Sequence, residues 1–323
     1  MTALRPAALG RAALALAVWG LLIWFFAATL DRLPAGRDLA RPFTGGGAAA
    51  ALALAGLFLA ATLIRTLRWR DMLAQDLRAS FGRMLPVFAW IFLVSSLTPF
   101  RAGDALRPAW VRRRGGSFLQ ASGGLIAERL ADLAVIAAFL LAALTAGRGD
   151  AGMTAAATAL AAAPVLAFLG ASAAAPRVAR RFGASDGAGG LARGIAALGR
   201  GLAQSARPAA LARLLAFTLV IWGLIALGYH AMLSSMFPGL HWSAALAVPA
   251  AVNLAGLLPV SPGNLGPYEA AAVAVLALYG VPPEAALAGA IALHLVVLLC
   301  TVAIGLAGRA LMHGQGVRPA DLV

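Results

Sequence analysis

Apolar stretches long enough to cross a bilayer recur along the chain, at about 12–30, 46–64, 117–145, 151–174, 211–233 and 284–308. A helix needs about 20 mainly apolar residues to pass the hydrocarbon core, so these stretches predict full spans. Three further apolar segments, at about 84–98, 243–259 and 267–280, are shorter or interrupted. They predict helices that dip into the membrane and stop. The pattern as a whole predicts an all-α, polytopic integral membrane helix bundle. It has about six full spans plus two re-entrant or broken-helix segments of opposite orientation, within one transmembrane domain covering residues 1–323.

Composition agrees with that pattern. Of the 323 residues, 62% are hydrophobic and 12% charged, about half the charged share of an ordinary soluble domain. So little polar surface would not cover a soluble core of this size. The 26 basic residues are all arginine and outnumber 12 acidic ones, giving a net charge of +14. The arginines lie in the gaps between apolar runs without an accompanying aromatic stacking surface. They therefore point to phospholipid headgroups rather than to nucleic acid.

The same arginines orient the chain. If 84–98 turns back on one side and 243–280 on the other, 21 of the 26 arginines fall in gaps on one side. Only Arg32, Arg37, Arg41 and Arg148 fall on the other, and Arg129 is inside a span. A full crossing at 84–98 would move the arginines of 101–114 and 177–213 to the opposite side, against the positive-inside rule. The expectation is a bacterial inner-membrane protein with both termini cytoplasmic. Arg5 and Arg11 before the long, bulky stretch 12–30 predict an uncleaved first span rather than a signal peptide. In the basic gap 175–210, Leu191, Ile195, Leu198 and Leu202 share one helical face. They predict a short helix lying on the inner leaflet, with a disordered linker as the alternative.

The two interruptions resemble each other. One reads Ser95-Ser96-Leu97-Thr98-Pro99-Phe100-Arg101-Ala102-Gly103-Asp104, and the other runs from Gly256 through Pro259, Gly263 and Asn264 to Glu269. Each has Pro, then Gly four residues on, then Asp or Asn. Proline ends the incoming helix and glycine permits the reversal. Unwound backbone at membrane depth must be buried in protein or line a watery cavity. Two such breaks entering from opposite sides are the mark of an inverted-repeat transporter, although proline–glycine kinks also serve purely structural helices.

Ionisable residues inside the spans are the next signal. Each costs about 2.5–3.5 kcal/mol at the bilayer centre on insertion scales, and Glu128, Arg129 and Asp132 lie together in the span 117–145. Their spacing puts them on one side of a helix, either as a mutual ion pair or as part of a site. Arg101 and Arg107 flank the first break, within reach of a phosphate. Glu269 falls in the first turn of a helix opened by Pro267, which is a capping position as well as a site position. His294 is a hydrogen-bonded interior histidine or a proton relay. Arg65, Arg68 and Arg70 read as anchors at a membrane boundary. Cys300 is a lone apolar filler. There is no phosphate-binding loop, no nucleophile elbow and no metal-ligand spacing. The chain is expected to be neither an enzyme nor a cofactor protein.

These motifs resemble the flippase-like membrane domain family, named for the transmembrane region of lysylphosphatidylglycerol synthases. The resemblance rests on Leu63-Ile64-Arg65-Thr66-Leu67-Arg68-Trp69, on Pro99 to Arg107, on Glu128-Arg129-Leu130-Ala131-Asp132, and on Leu258 to Ala270. Their order and spacing cover most of the chain. Departures from the usual pattern are Asp104 in place of Glu, Asn264 in place of Gly and Tyr268 in place of Arg, with His294 where an arginine is common. The resemblance implies lipid translocation between leaflets. The fused aminoacyl transferase domain of the synthases has no counterpart here, so a stand-alone member that does not make lysylphosphatidylglycerol is expected.

Two functions follow as expectations. In the first, the breaks and the span 117–145 line a cavity for a membrane lipid with an anionic headgroup or an isoprenoid-type lipid. Substrate would then be bound by Arg101, Gly103, Asp104, Arg107, Glu128, Arg129, Asp132, Pro259, Gly263, Asn264 and Glu269. In the second, the chain is a non-transporting scaffold that recruits lipid-biosynthesis enzymes through its basic face.

Overall fold

The computed structural model describes residues 43–147, most of 162–181, 190–256 and 261–322. The expected first span at 12–30 and Pro259 lie outside the described residues, as does the start of the stretch 151–174. Among the described residues the chain is helical, without strands. The helices are α1 (Gly46–Met72), α2 (Phe81–Leu97), α3 (Leu106–Arg113), α4 (Phe118–Gly147), α5 (Gly190–Ser205), α6 (Pro208–Met236), α7 (Ala244–Ala255), α8 (Pro267–Leu278) and α9 (Pro283–Gly314). Tight turns of 3-10 helix occupy Pro99–Ala105 and Pro262–Asn264.

Helices α1, α6 and α9 are long and apolar enough to cross a membrane. At 1.5 Å per residue their 27, 29 and 32 residues span roughly 40–50 Å, beyond the roughly 30 Å of the hydrocarbon core. Helix α4, with 30 residues, is as long but carries the charged trio. Leu52 and Leu59 on α1, Leu219 and Leu227 on α6, and Leu295, Leu299 and Leu306 on α9 remain exposed. Stripes of this kind would be a liability in water and are a lipid-facing surface in a bilayer. The chain is a polytopic helical membrane protein.

The long helices approach each other through small residues, as apolar helices must where no hydrophobic drive brings them together. A Cβ added to Gly308 would lie 2.8 Å from the Pro86 carbonyl, so α9 runs close against α2. Gly228 likewise lets α6 meet Leu54 of α1. The largest apolar core gathers Leu54, Ile221, Ile225, Met232, Leu276 and Leu293 from α1, α6, α8 and α9.

The interrupted segments both turn back. Helix α2 has 17 residues, about 25 Å, and α7 and α8 have 12 each, about 18 Å; none crosses alone. After Pro99–Ala105, α3 returns alongside α2. Its Trp110 ring lies 5.2 Å from Trp69 near the end of α1, and Phe88 of α2 lies 6.0 Å from the same ring. The chain leaves this hairpin at Gly116, beside Leu77 where it began. The second hairpin, α7–α8, closes the same way, with the Ser243 and Tyr279 hydroxyls 2.8 Å apart.

The two hairpins open on opposite faces. Trp69, Met84, Trp110, Met312 and Leu322 form one apolar cluster at the first hairpin's mouth. The second opens where α6 ends and α9 begins, with Phe237 packed against Gly289. Among the described residues, every arginine at a face lies on the first one.

The amphipathic segment of the basic gap is helical, as α5. It does not merely rest on a lipid surface. Gly123 of α4 abuts the Leu198 carbonyl, and Gly201 of α5 abuts the Gln120 carbonyl. With Leu202 buried and Leu191 80% exposed, one end of the expected apolar face is docked on α4 and the other is free.

Candidate functional site

The two hairpin tips meet the middle of α1, α4, α6 and α9 around a cavity of about 190 Å³. Ser95, Thr98, Arg101 and Asp104 reach it from the first tip, and Ser261, Gly263 and Asn264 from the second. Five arginines (65, 68, 101, 107 and 129) and three carboxylates (Asp104, Glu128 and Asp132) line it, an excess of two positive charges. In a medium of low dielectric each of these must be partnered or must have a use.

Most are partnered, in a ladder of alternating sign. Arg68, only 2% exposed, donates to both oxygens of Asp132 at 2.7 and 3.1 Å, and also to Thr218 at 2.8 Å. Its other face lies 3.1 Å from Glu128. Asp132 also accepts from the Trp222 indole at 3.2 Å. Arg107 forks onto Glu128 with bonds of 2.9 and 2.8 Å, the bidentate geometry that a planar guanidinium favours, with Trp69 and Phe88 covering its faces. Arg129 reaches out of α4 to Asp104 at 2.5 Å, and Asp104 accepts a second bond from Ser95 at 2.7 Å. The first tip is thereby tied to α4 at two points, Arg107–Glu128 and Asp104–Arg129.

The tip has backbone reasons for its shape. Arg101 sits at φ 50, a left-handed conformation that non-glycine residues avoid at a cost of about 1–2 kcal/mol. A Cβ on Gly103 would fall 2.5 Å from the Ser95 backbone nitrogen. The return strand therefore crosses the end of α2 only because residue 103 has no side chain.

Arg65 and Arg68 differ from their expected role as boundary anchors. Helix α1 continues past residue 64 to Met72, so both are inside the bundle. Leu54, Phe58, Ala61, Arg68 and Trp69 are all buried, and this spacing, carried past Ile64, was the signal for it. Arg65 makes no ion pair with a carboxylate among the described residues. Its Nη1 is buried without a hydrogen-bond partner, and its guanidinium lies 5.7 and 5.4 Å from the Phe58 and Phe92 ring centres. Arg101 Nε is likewise unbonded, 3.6 Å from Asp104.

Of the residues read from sequence as substrate-binding, Arg101, Asp104, Arg107, Glu128, Arg129, Asp132, Gly263 and Asn264 line the cavity. Gly103 packs behind the tip. Arg107 has its fork occupied by Glu128, so it braces the wall of the cavity rather than facing into it. It also lines a second cavity of about 310 Å³ on the arginine-rich face, between α1, α3, α4 and α5. The Arg107–Glu128 pair is thus a septum between the two spaces.

The second tip is held by different chemistry. Gly263 and Gly266 take φ 65 and 90, and Asn264 φ 59. Asn264 donates to the Val252 carbonyl at 3.3 Å. Glu269 does not line the cavity. It caps the Gly266 N–H at 2.7 Å and holds His294 of α9 at 2.6 Å. His294 reaches the Gly263 carbonyl at 2.9 Å with its other nitrogen. The Tyr268 ring stacks on the imidazole at 3.9 Å, and its hydroxyl meets that of Tyr229 at 2.6 Å.

Membrane spans, paired re-entrant hairpins and a charged midplane cavity define a polytopic membrane protein built around a buried polar site. The family model for the lysylphosphatidylglycerol synthase TM region matches residues 8–305. The chain belongs to that family of lipid-associated membrane proteins. No curated protein matches it, and no solved structure matches it.

Proposed function

We propose that this protein translocates a lipid with an anionic headgroup between leaflets, without covalent chemistry on the lipid. The observation that carries the reading is the charge imbalance at the meeting point of the tips. The carboxylates there are all engaged, whereas Arg65 Nη1 and Arg101 Nε, like Nε of Arg68 and Arg107, are buried without an acceptor. Of the four arginines, Arg65 and Arg101 are the two not already forked onto a carboxylate. A phosphate oxygen is the acceptor these groups lack. Each charge-assisted bond it accepted would be worth about 1.5–3 kcal/mol, enough to offset part of the headgroup's desolvation. Two hairpins entering from opposite faces provide the quasi-symmetric elements that alternating access requires. The arginine-rich face is then cytoplasmic, by the positive-inside rule, and the membrane is the bacterial inner membrane. The second cavity is the vestibule on the cytoplasmic face, separated from the inner cavity by Arg107–Glu128.

The test uses the purified chain in liposomes with nitrobenzoxadiazole-labelled phosphatidylglycerol, its leaflet distribution read by dithionite quenching. Faster exchange than in protein-free liposomes is expected, together with a loss of about tenfold or more in Arg65→Gln. Labelled phosphatidylcholine, with no net charge, should move more slowly. Exchange no faster than in empty liposomes for phosphatidylglycerol, phosphatidate and an isoprenoid phosphate would refute the reading.

A further inference from the structure

The ladder on the first hairpin leaves the pair His294–Glu269 unexplained. Its hydrogen bonds specify a proton count. A backbone carbonyl only accepts, so the His294 Nε2 bonded to the Gly263 oxygen at 2.9 Å carries a hydrogen. The opposite nitrogen, Nδ1, lies 2.6 Å from Glu269 Oε1. A neutral imidazole with its hydrogen on Nε2 offers a lone pair there, and so does an ionised carboxylate. Two lone pairs do not close to 2.6 Å. One further proton must therefore sit between them, either on Nδ1 as imidazolium–carboxylate or on Oε1 as a carboxylic acid. The pair holds that proton at 3% exposure of His294, on the wall of the cavity.

We propose that His294 and Glu269 form a proton-binding site that latches the second hairpin tip to α9, and that lipid movement is coupled to protons through it. The coupling rests on the translocation reading above; the proton site itself does not. With the proton present, α9 is tied to the tip at Gly263 and to the first turn of α8 at Glu269. When the proton leaves into cavity water, the Nδ1–Oε1 bond is lost. Lone pairs then repel across the gap, and a bare carboxylate keeps only the Gly266 N–H. Of its ties to α9 the tip then keeps only the one through Nε2, and the left-handed φ of Asn264 favours release. Low pH closes the latch, and rising pH opens it.

The surroundings allow the site to respond to substrate. On α8 the Tyr268 ring stacks on the imidazole, and on α6 Tyr229 bonds to Tyr268. The polar side chains that helix α2 presents to the shared cavity are the uncharged hydroxyls of Ser95 and Ser96. Arg65 of α1 and Arg101 and Asp104 of the first tip line the same space, while Glu128, Arg129 and Asp132 of α4 are held within the ladder. An anionic headgroup arriving at Arg65 and Arg101 cancels positive charge in the cavity and favours retention of the proton. Its departure favours release. Lipid and proton therefore travel as a pair.

Hydrogen–deuterium exchange over residues 261–270 in liposomes, corrected for the intrinsic pH dependence of amide exchange, reads the latch directly. Protection is expected to fall as pH rises. Glu269→Gln supplies an amide that donates to Nδ1 while its oxygen accepts from Gly266, mimicking the protonated pair, so protection there should no longer follow pH. In labelled-phosphatidylglycerol liposomes, a gradient of one pH unit should drive up to about tenfold leaflet asymmetry per proton coupled, absent in Glu269→Gln. If wild-type protection does not change with pH, the proton site is overturned. A pH-dependent tip with lipid exchange indifferent to the gradient overturns the coupling. A pH-dependent tip with no lipid exchange under any condition overturns the translocation reading and leaves the proton site standing. The wild-type measurements decide each case even if the variant fails to fold.

Discussion

The two hairpins solve one backbone problem with opposite chemistries. Each enters from its own face, breaks at the midplane, uses left-handed residues to reverse and leaves beside its point of arrival. The first is then fastened by charge: Asp104 to Arg129, Arg107 to Glu128, with Arg68 joining Glu128 to Asp132. The second is fastened by one proton-bearing pair, a tyrosine couple and an asparagine. The first set of contacts joins groups of fixed opposite charge, whereas the histidine–carboxylate contact at 2.6 Å holds only while it keeps its shared proton. On the proposed reading, the first hairpin binds the headgroup and the second is the movable latch.

Removing a rung of the ladder should have the largest effect. Arg68→Ala leaves Asp132 with the Trp222 indole and a 3.7 Å approach of Arg129, and Glu128 with Arg107 alone; breaking a buried ion pair by deleting one partner costs about 3–5 kcal/mol. Loss of most of the folded population in mixed detergent micelles is the expected result. His294→Phe keeps a ring against Tyr268 but leaves the Gly263 carbonyl and one Glu269 oxygen without a donor. Glu269 keeps its Gly266 bond and can take up a proton, so a smaller loss of about 2–3 kcal/mol is expected by reversible denaturation. Equal costs would mean that the second hairpin is fastened as rigidly as the first.

Glycine tests the tips themselves. Gly103→Ala places a methyl 2.5 Å from backbone nitrogen of α2, with nothing flexible to give way, so a loss of about 2–3 kcal/mol is expected from overpacking. Gly263→Ala meets only the end of Leu298 at 3.4 Å, so its cost is the left-handed backbone, about 1 kcal/mol. A first tip that tolerates alanine as well as the second would show that its crossing of α2 is looser than this geometry.

Local and tertiary determinants of the site divide along the same line. The breaks were legible in the sequence, because proline and glycine at fixed spacing act locally. So were Glu128, Arg129 and Asp132, because helical spacing alone puts them on one side. Arg68 was not: hydropathy ends the α1 span near residue 64, and only its partners on α4 and α6 reveal that the helix continues inward. His294 and Glu269 stand 25 residues apart, and no periodicity links the ends of that interval. Local rules showed where the chain breaks, and tertiary contacts decided which charges those breaks bring together.

The smallest effects separate fastening from binding. Arg65 stands one helical turn from Arg68 yet has no carboxylate to strand, so Arg65→Gln should cost only its contact with the Phe58 and Phe92 rings, about 1 kcal/mol, while lipid movement falls. A large destabilisation would instead make Arg65 part of the ladder. Asn264→Gly is smaller still. It removes one 3.3 Å bond to Val252 and relieves φ 59, two terms of about 1 kcal/mol that oppose each other. Denaturation should show no resolvable change. Because glycine adds freedom at a tip held mainly by His294, protection of residues 261–270 from exchange should fall at high pH, where the latch is open, and persist at low pH, where the proton holds it closed. A loss of protection equal at both ends of the range would mean that Asn264, rather than the histidine, keeps the second tip in place.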